Sequence, residues 1–197
     1  GGLRHFEKSA KGGQSLDLLA KAKAKGYEFV GNADELRSAK GEGRLLGLFS
    51  KSHIPYAIDR KNDTSLADVP GLGAMFETAL ERLDGMKDGF VLQVEGGRVD
   101  HAGHANDPAG ILHEFLEFDA CIPIALKYIQ SNPDTLLIIT TDHGTGGCQL
   151  NGHGPSYNDS GAALDQINAI KHSFEWMQKR FSKAGKFDAS AVESALG

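Results

Sequence analysis

The chain has 197 residues, of which 40% are hydrophobic and 24% charged, enough for a folded core and unlike a disordered segment. One large domain over residues 1–197 is the expectation at this length. A formal charge of -5 favours neither nucleic acid nor an anionic membrane as partner. No run of about 18 uninterrupted apolar residues offers a membrane span. No signal peptide is expected within these residues, and Gly1-Gly2-Leu3-Arg4-His5-Phe6 reads as the middle of a protein.

In chain order, Ser15 is a candidate N-cap for a helix from Leu16 to Lys25, stopped by Gly26. Tyr27 to Val30 reads as a short strand, and Asn32 caps a short helix to about Lys40. Arg44 to Ser50 carries Leu45, Leu46, Leu48 and Phe49, the pattern of a buried strand. Residues 51–69 are polar and broken, hence loop. Pro70 suits the first turn of a helix ending near Leu83, before Gly85. A strand over 89–95 follows, then a loop.

Asp107-Pro108 places an N-cap and a first-turn proline at the start of a long helix to about Gln130, which Pro123 kinks or divides. Asn132-Pro133-Asp134 is a turn before a strand over 135–141. Residues 144–160 are a loop rich in Gly, Asn and Ser. Helix returns from about Ala162 to Arg180 and again from Ala189 to Leu196. Strands alternate with helices and are nearly continuous apolar runs. The expected class is therefore α/β, a mostly parallel sheet with helices on both faces.

Ligands bind outside the carboxyl ends of strands in such sheets. Two polar clusters fall there. Val91-Leu92-Gln93-Val94 runs into Glu95, with Asp100, His101 and His104 close behind; residues 135–141 run into Asp142-His143. Zinc takes imidazole nitrogen and carboxylate oxygen. Asp100 and His104, four apart, point the same way on a turn or short helix. Asp142 and His143 converge only where the backbone turns at a strand end. Glu95 offers oxygen alone, which suits a harder ion such as magnesium. Two zinc ions about 4 Å apart clamp both the attacking and the leaving oxygen of a phosphoryl transfer.

Blander readings compete. A strand-end Asp often caps a helix or forms a turn. By position His101 is equally a ligand, a group behind the ligands or a solvent-exposed residue. His113 reads as a helix-face histidine, and His5, His53 and His172 as surface or structural. His153 sits in a loop that could reach the site. Cys121 and Cys148 lack CxxC partners and read as packed free thiols, with a disulfide left open. The glycine pairs 96–97 and 146–147 permit tight turns but no phosphate-binding P-loop, since no Gly-Lys-Ser/Thr follows.

The run from Val94 to Asp107, Val-Glu-Gly-Gly-Arg-Val-Asp-His-Ala-Gly-His-Ala-Asn-Asp, resembles a metal-binding stretch of alkaline phosphatases. Thr141-Asp142-His143-Gly144-Thr145-Gly146-Gly147 is similar to the second such stretch of the same family, and the opening Gly1 to Phe6 also resembles one of its segments. The resemblance covers residues 1 to about 150. It implies an alkaline phosphatase-like three-layer sandwich, here a partial domain. It implies one zinc on Asp100 and His104, a second on Asp142 and His143, and a magnesium ion on Glu95. His101 matches a position that touches phosphate or, through water, magnesium, a catalytic role. The implied reaction is hydrolysis of small-molecule phosphate monoesters through a phosphoserine, in the periplasm or outside the cell; a homodimer is compatible with it.

The family's nucleophilic serine and phosphate-gripping arginine lie upstream of the position matching residue 1. Its last zinc histidine stands in a Gly-His-Thr-Gly context that Gly152-His153-Gly154-Pro155 does not match. A fragment of a longer enzyme is expected, with two protein ligands per zinc. The competing expectations are a non-catalytic metal-binding module and a related hydrolase acting on diesters or sulfate esters.

Overall fold

The computed structural model describes residues 1–8, 16–146, 161–184 and 189. They form two compact units, one of residues 1–55, 64–95 and 117–133, the other of 56–63, 96–116 and 134–197.

The first unit begins with helix α1 (Leu18–Ala24), capped by Asp17, whose carboxylate accepts from the Ala20 N–H at 2.8 Å. Ser15 lies outside the described residues. Gly26, at φ 80°, turns the chain into strand β1 (Tyr27–Val30). Helix α2 (Ala33–Ser38) is held by a reciprocal cap. Asn32 Oδ1 accepts from the Glu35 N–H, and Glu35 Oε2 accepts from the Gly31 N–H. Strand β2 (Arg44–Gly47) pairs with β1 in parallel, in register from Tyr27 with Arg44 to Val30 with Gly47.

Val30, Leu36, Ala39 and Phe49 form one buried cluster of this unit. Helix α4 (Leu72–Leu83) and helix α7 (Cys121–Ser131) build a second around Phe76, Cys121 and Ala125. Arg82 of α4 reaches back to the sheet, donating to Glu28 and to the carbonyls of Ala39 and Gly43, each at 3.0 Å. Cys121 is a buried free thiol, raised in pKa first by burial and then by Glu117 and Glu77. Cys148 lies outside the described residues.

Residues 90–95 alternate between half-buried and exposed, with Leu92 and Val94 against the second cluster and Val91 98% exposed. That is the side-chain period of a strand. Yet among the described residues the segment pairs with no neighbour, and β1–β2 is the hydrogen-bonded sheet. Residues 135–141 likewise carry no pairing, and Leu136 and Ile138 are exposed. Apolar pattern encodes a strand's faces; only a partner's N–H and C=O groups make it a ladder.

The second unit contains the larger departure from sequence expectation. Within the stretch read as loop lies helix α3 (Ala57–Asn62), with Ile58 and Asp59 buried. Its polar sequence hides a helix because its inward face is finished by carboxylate hydrogen bonds as well as apolar contact. Helix α5 (Arg98–His104) replaces the loop expected after residue 95. Asp107 caps helix α6 (Pro108–Asp119), accepting from the Gly110 N–H at 2.8 Å. The expected long helix divides at Ala120, leaving Pro123 in the first turn of α7, where a missing N–H costs nothing.

The expected helix over 162–180 is likewise two, α8 (Gly161–Ala169) and α9 (Phe174–Ala184). The loop stretch 147–160 and the last expected helix beyond residue 189 lie outside the described residues. Tyr56, Ile58, Ala102 and Ala109 are buried together, with Ile111, Ile167 and Ile170 packed against them.

Two buried carboxylates and the half-buried Asp63 fix the start of α9. Asp59 accepts from the Ser173 N–H at 2.8 Å and its hydroxyl at 2.6 Å. Asp107 accepts from the Phe174 N–H at 2.7 Å, and Asp63 from the Trp176 indole at 2.8 Å. Glu114 similarly accepts from the first N–H of α3, Ala57, at 2.5 Å. Charge-assisted bonds contribute about 1.5–3 kcal/mol each, comparable to the effective cost of desolvating the carboxylate.

For Asp59 desolvation wins. Burial raises its pKa above 3.8 against the opposing Ser173 hydrogen bonds and the His172 charge. The folded state therefore binds this proton more tightly than the unfolded chain. Its stabilising contribution is complete below the ordinary value and is lost as pH rises through the raised one. Urea midpoints should fall from about pH 4 to about pH 7 more steeply in the wild-type protein than in Asp59→Asn. Parallel profiles would contradict this.

Candidate metal centre

Helix α5 follows Gly96-Gly97 and ends at His104; two residues on, Asn106, with a φ of 50°, turns the chain toward α6. Arg98, Ala102 and Gly103 face inward. One turn apart on the other side, Asp100 Oδ1 stands 3.5 Å from His104 Nε2. The pairing follows from the i,i+4 spacing once the segment is helical.

The loop 142–146 comes down on this helix at Gly103. A Cβ on Gly146 would lie 2.6 Å from the Gly103 carbonyl oxygen, too close for any residue but glycine without a shift of backbone. This approach brings the Thr145 hydroxyl to Asp100 Oδ1 at 2.5 Å and to His143 Nδ1 at 2.8 Å. His143 Nδ1 is itself 3.9 Å from Asp100 Oδ1. Within the loop, the His143 N–H donates to Asp142 Oδ1 at 3.0 Å and the Thr141 hydroxyl to the His143 carbonyl at 3.1 Å.

Thr145 has one hydroxyl proton, and the Asp100 carboxylate can only accept it. Nδ1 of His143 is then the donor to Thr145. In the neutral ring that leaves the Nε2 lone pair facing Asp142 Oδ2 at 3.1 Å. Two acceptors this close are reconciled by a shared cation, either a proton on the imidazole or a metal ion. Zinc with ligands at about 2.0–2.2 Å in a tetrahedron sets them about 3.3–3.6 Å apart. The Asp100–His104 and Asp142–His143 separations are near that edge length. Each pair fits half a zinc site, although among the described residues no three His, Cys, Asp or Glu side chains form a cage.

The Asp100 carboxyl lies below its ordinary value. The Thr145 hydrogen bond is the largest cause, opposed by desolvation and aided by the charges of His104, His143 and His101.

Asp100, His101, His104, Asp142 and His143 thus all belong to the second unit, where Asp100 meets both His104 and His143. Glu95 belongs to the first unit and is exposed at the end of residues 90–95. His101 lies on the inner side of α5, its Nδ1 accepting from Arg98 Nη1 at 3.2 Å. A cavity of about 390 Å³ opens beside His101 and His104, walled by Tyr56, Arg98, Phe174 and Glu175.

His113 is half-buried on α6 with its pKa lowered by burial and by Lys61 and Lys171, as a helix-face histidine would be. His172 stacks on Trp176 at 3.6 Å, a structural role. His5 accepts from Arg4 at the surface. His153 lies outside the described residues. Sequence reasoning gave no role to Thr145 or Arg98. The hydroxyl of Thr145 stands two residues after His143, a local signal; the partner of Arg98, Glu175, is 77 residues away and left none.

The family described as alkaline phosphatase matches residues 1–195. Alkaline phosphatase 3 of Bacillus subtilis is 31% identical over 196 residues, covering 100% of this chain and 38% of that protein. The repressible alkaline phosphatase of Saccharomyces cerevisiae is 39% identical over 168 residues, 75% of this chain and 29% of that protein. Among solved structures, Thermus thermophilus alkaline phosphatase superposes with a TM-score of 0.89 at 40% identity, over 99% of this chain and 40% of that one. The chain spans about two-fifths or less of the length of these relatives.

A carboxyl lowered on folding contributes stability above its ordinary value and loses it as pH falls through the folded one. Thr145→Val removes the main cause, so Asp100 should titrate at higher pH, read from its carboxyl carbon by NMR. Gly146→Ala, which lifts the loop, should act in the same direction. An unmoved Asp100 midpoint in both would refute the bridge.

Proposed function

Because this chain belongs to the alkaline phosphatase family, we propose that it carries the metal-ligating and phosphate-facing residues of a metal-dependent phosphomonoesterase. In the complete protein the reaction is hydrolysis of small-molecule phosphate monoesters through a phosphoserine. The chain is read as a single partial catalytic domain of three-layer α/β type, exported to the periplasm or the cell exterior, with a homodimer as the assembly to test.

One observation carries the reading. Asp100–His104 and Asp142–His143, from segments about forty residues apart, meet through the Thr145 hydroxyl. Asp100 and His104 are assigned to one zinc ion, Asp142 and His143 to a second, and Glu95 to magnesium. Bound there, the ions would supply electrostatic stabilisation of charge developing on the phosphoryl and leaving oxygens. The chain's own part is preorganisation. Thr145 holds the Asp100 carboxylate and the His143 ring in one orientation each. His101, lining the neighbouring cavity, is assigned to hydrogen-bond a phosphate oxygen.

The complete protein should release nitrophenol from p-nitrophenyl phosphate, most rapidly at alkaline pH, and lose that activity to a chelator. Asp100→Ala or His104→Ala should lower the rate at least about a hundredfold. Wild-type rates in either variant would refute the assignment.

A second reading, a non-catalytic metal-binding module, is favoured by the two-ligand half-sites among the described residues. The 197-residue chain with added zinc and magnesium should show no turnover by itself. Robust turnover would put the nucleophile within these residues.

A further inference from the structure

Arg98 directly follows the Gly96-Gly97 pair, yet it faces the core, 7% exposed. Its guanidinium Cζ lies 3.7 Å from the Tyr56 ring centroid, and Nη2 meets Glu175 Oε2 at 2.7 Å. Nη1 points at His101 Nδ1, 3.2 Å away. The Nε atom is buried without a hydrogen-bond partner. Here the fork is aimed so that its two terminal nitrogens serve Glu175 and His101.

Glu175 is well placed to set that aim. It sits in the first turn of α9, whose start is fixed by the Asp59–Ser173 and Asp107–Phe174 hydrogen bonds and by the Ser173 hydroxyl capping the Trp176 N–H at 3.0 Å. Lys179, one turn on, pairs with its other oxygen. The carboxylate therefore has little freedom, and Arg98, stacked on Tyr56, inherits its position.

We propose that Glu175 is a positioning residue for His101, acting through Arg98 to hold the imidazole as a single tautomer. An arginine has donors only. Facing Arg98, Nδ1 must accept, so in the neutral ring the proton resides on Nε2. His101 then offers an N–H, the form that hydrogen-bonds an anionic oxygen such as that of a phosphate ester. The ligand end of this inference rests on the phosphomonoesterase reading; the tautomer does not.

The test is a long-range proton–nitrogen NMR correlation of the histidine rings in the 197-residue protein at alkaline pH. His101 should show one tautomer, protonated on Nε2, in the wild-type protein. Glu175→Gln, which keeps an acceptor for Arg98, should preserve it, while Glu175→Ala should yield a mixture of tautomers. The His113 and His172 signals report an intact fold. Should Glu175→Ala lose them, Glu175→Met, which keeps the side-chain stem, is read instead. An Nδ1–H ring in the wild type, or an unchanged tautomer in the unpaired variant, overturns the proposal. In the complete protein, Glu175→Ala should lower kcat/KM for an aryl phosphate about tenfold, with Glu175→Gln recovering most of it. Absence of any phosphate release from the wild type would defeat the phosphatase reading and leave the NMR result standing.

Discussion

The candidate centre depends on how closely two backbones approach. Gly103 on α5 and Gly146 in the loop 142–146 touch without side chains between them. That contact sets the Thr145 hydroxyl between Asp100 and His143. A hydroxyl gives one proton and accepts others, so it couples a carboxylate to an imidazole with no charge of its own. Move the loop away by the width of a methyl group and two local pairs remain, each adequate in itself, with nothing to bring them to one place. The glycines are thus positional requirements, and they stand inside the segments whose chemistry is most apparent.

Around this contact, the unit is held by buried polar groups as well as by apolar packing. Asp59, Asp107, Arg98 and Glu114 are buried among few large apolar side chains, Ile58 being the largest fully buried one. Their hydrogen bonds run to the first turns of α3, α6 and α9. A helix start has N–H groups without intrahelical acceptors, and a buried carboxylate needs donors, so each satisfies the other. Apolar packing tolerates sliding; these bonds do not. A site that must hold carboxylates and imidazoles within a few tenths of an ångström gains from such supports.

Much of the site was legible because it is local. The i,i+4 spacing of Asp100 and His104 needs only a helical turn, and the Asp142–His143 adjacency needs only a bend. The caps at Asn32 and Asp107 and the turn at Gly26 are likewise written within four residues. Helix α3 was missed because Asp59 reads as a solvent-facing residue until its partner Ser173, 114 residues on, is present. The apolar runs at 89–95 and 135–141 show where strands are encoded, but the described residues supply no ladder for them.

From sequence alone came the donor chemistry, the order of the helices and the family resemblance, since residue type and short-range spacing carry all three. Tertiary structure decided which donors meet, that Thr145 joins them, and that Arg98 turns inward to Glu175 and His101. Those are contacts between positions far apart in the chain. Their geometry depends on the relative placement of whole elements, which no local propensity contains.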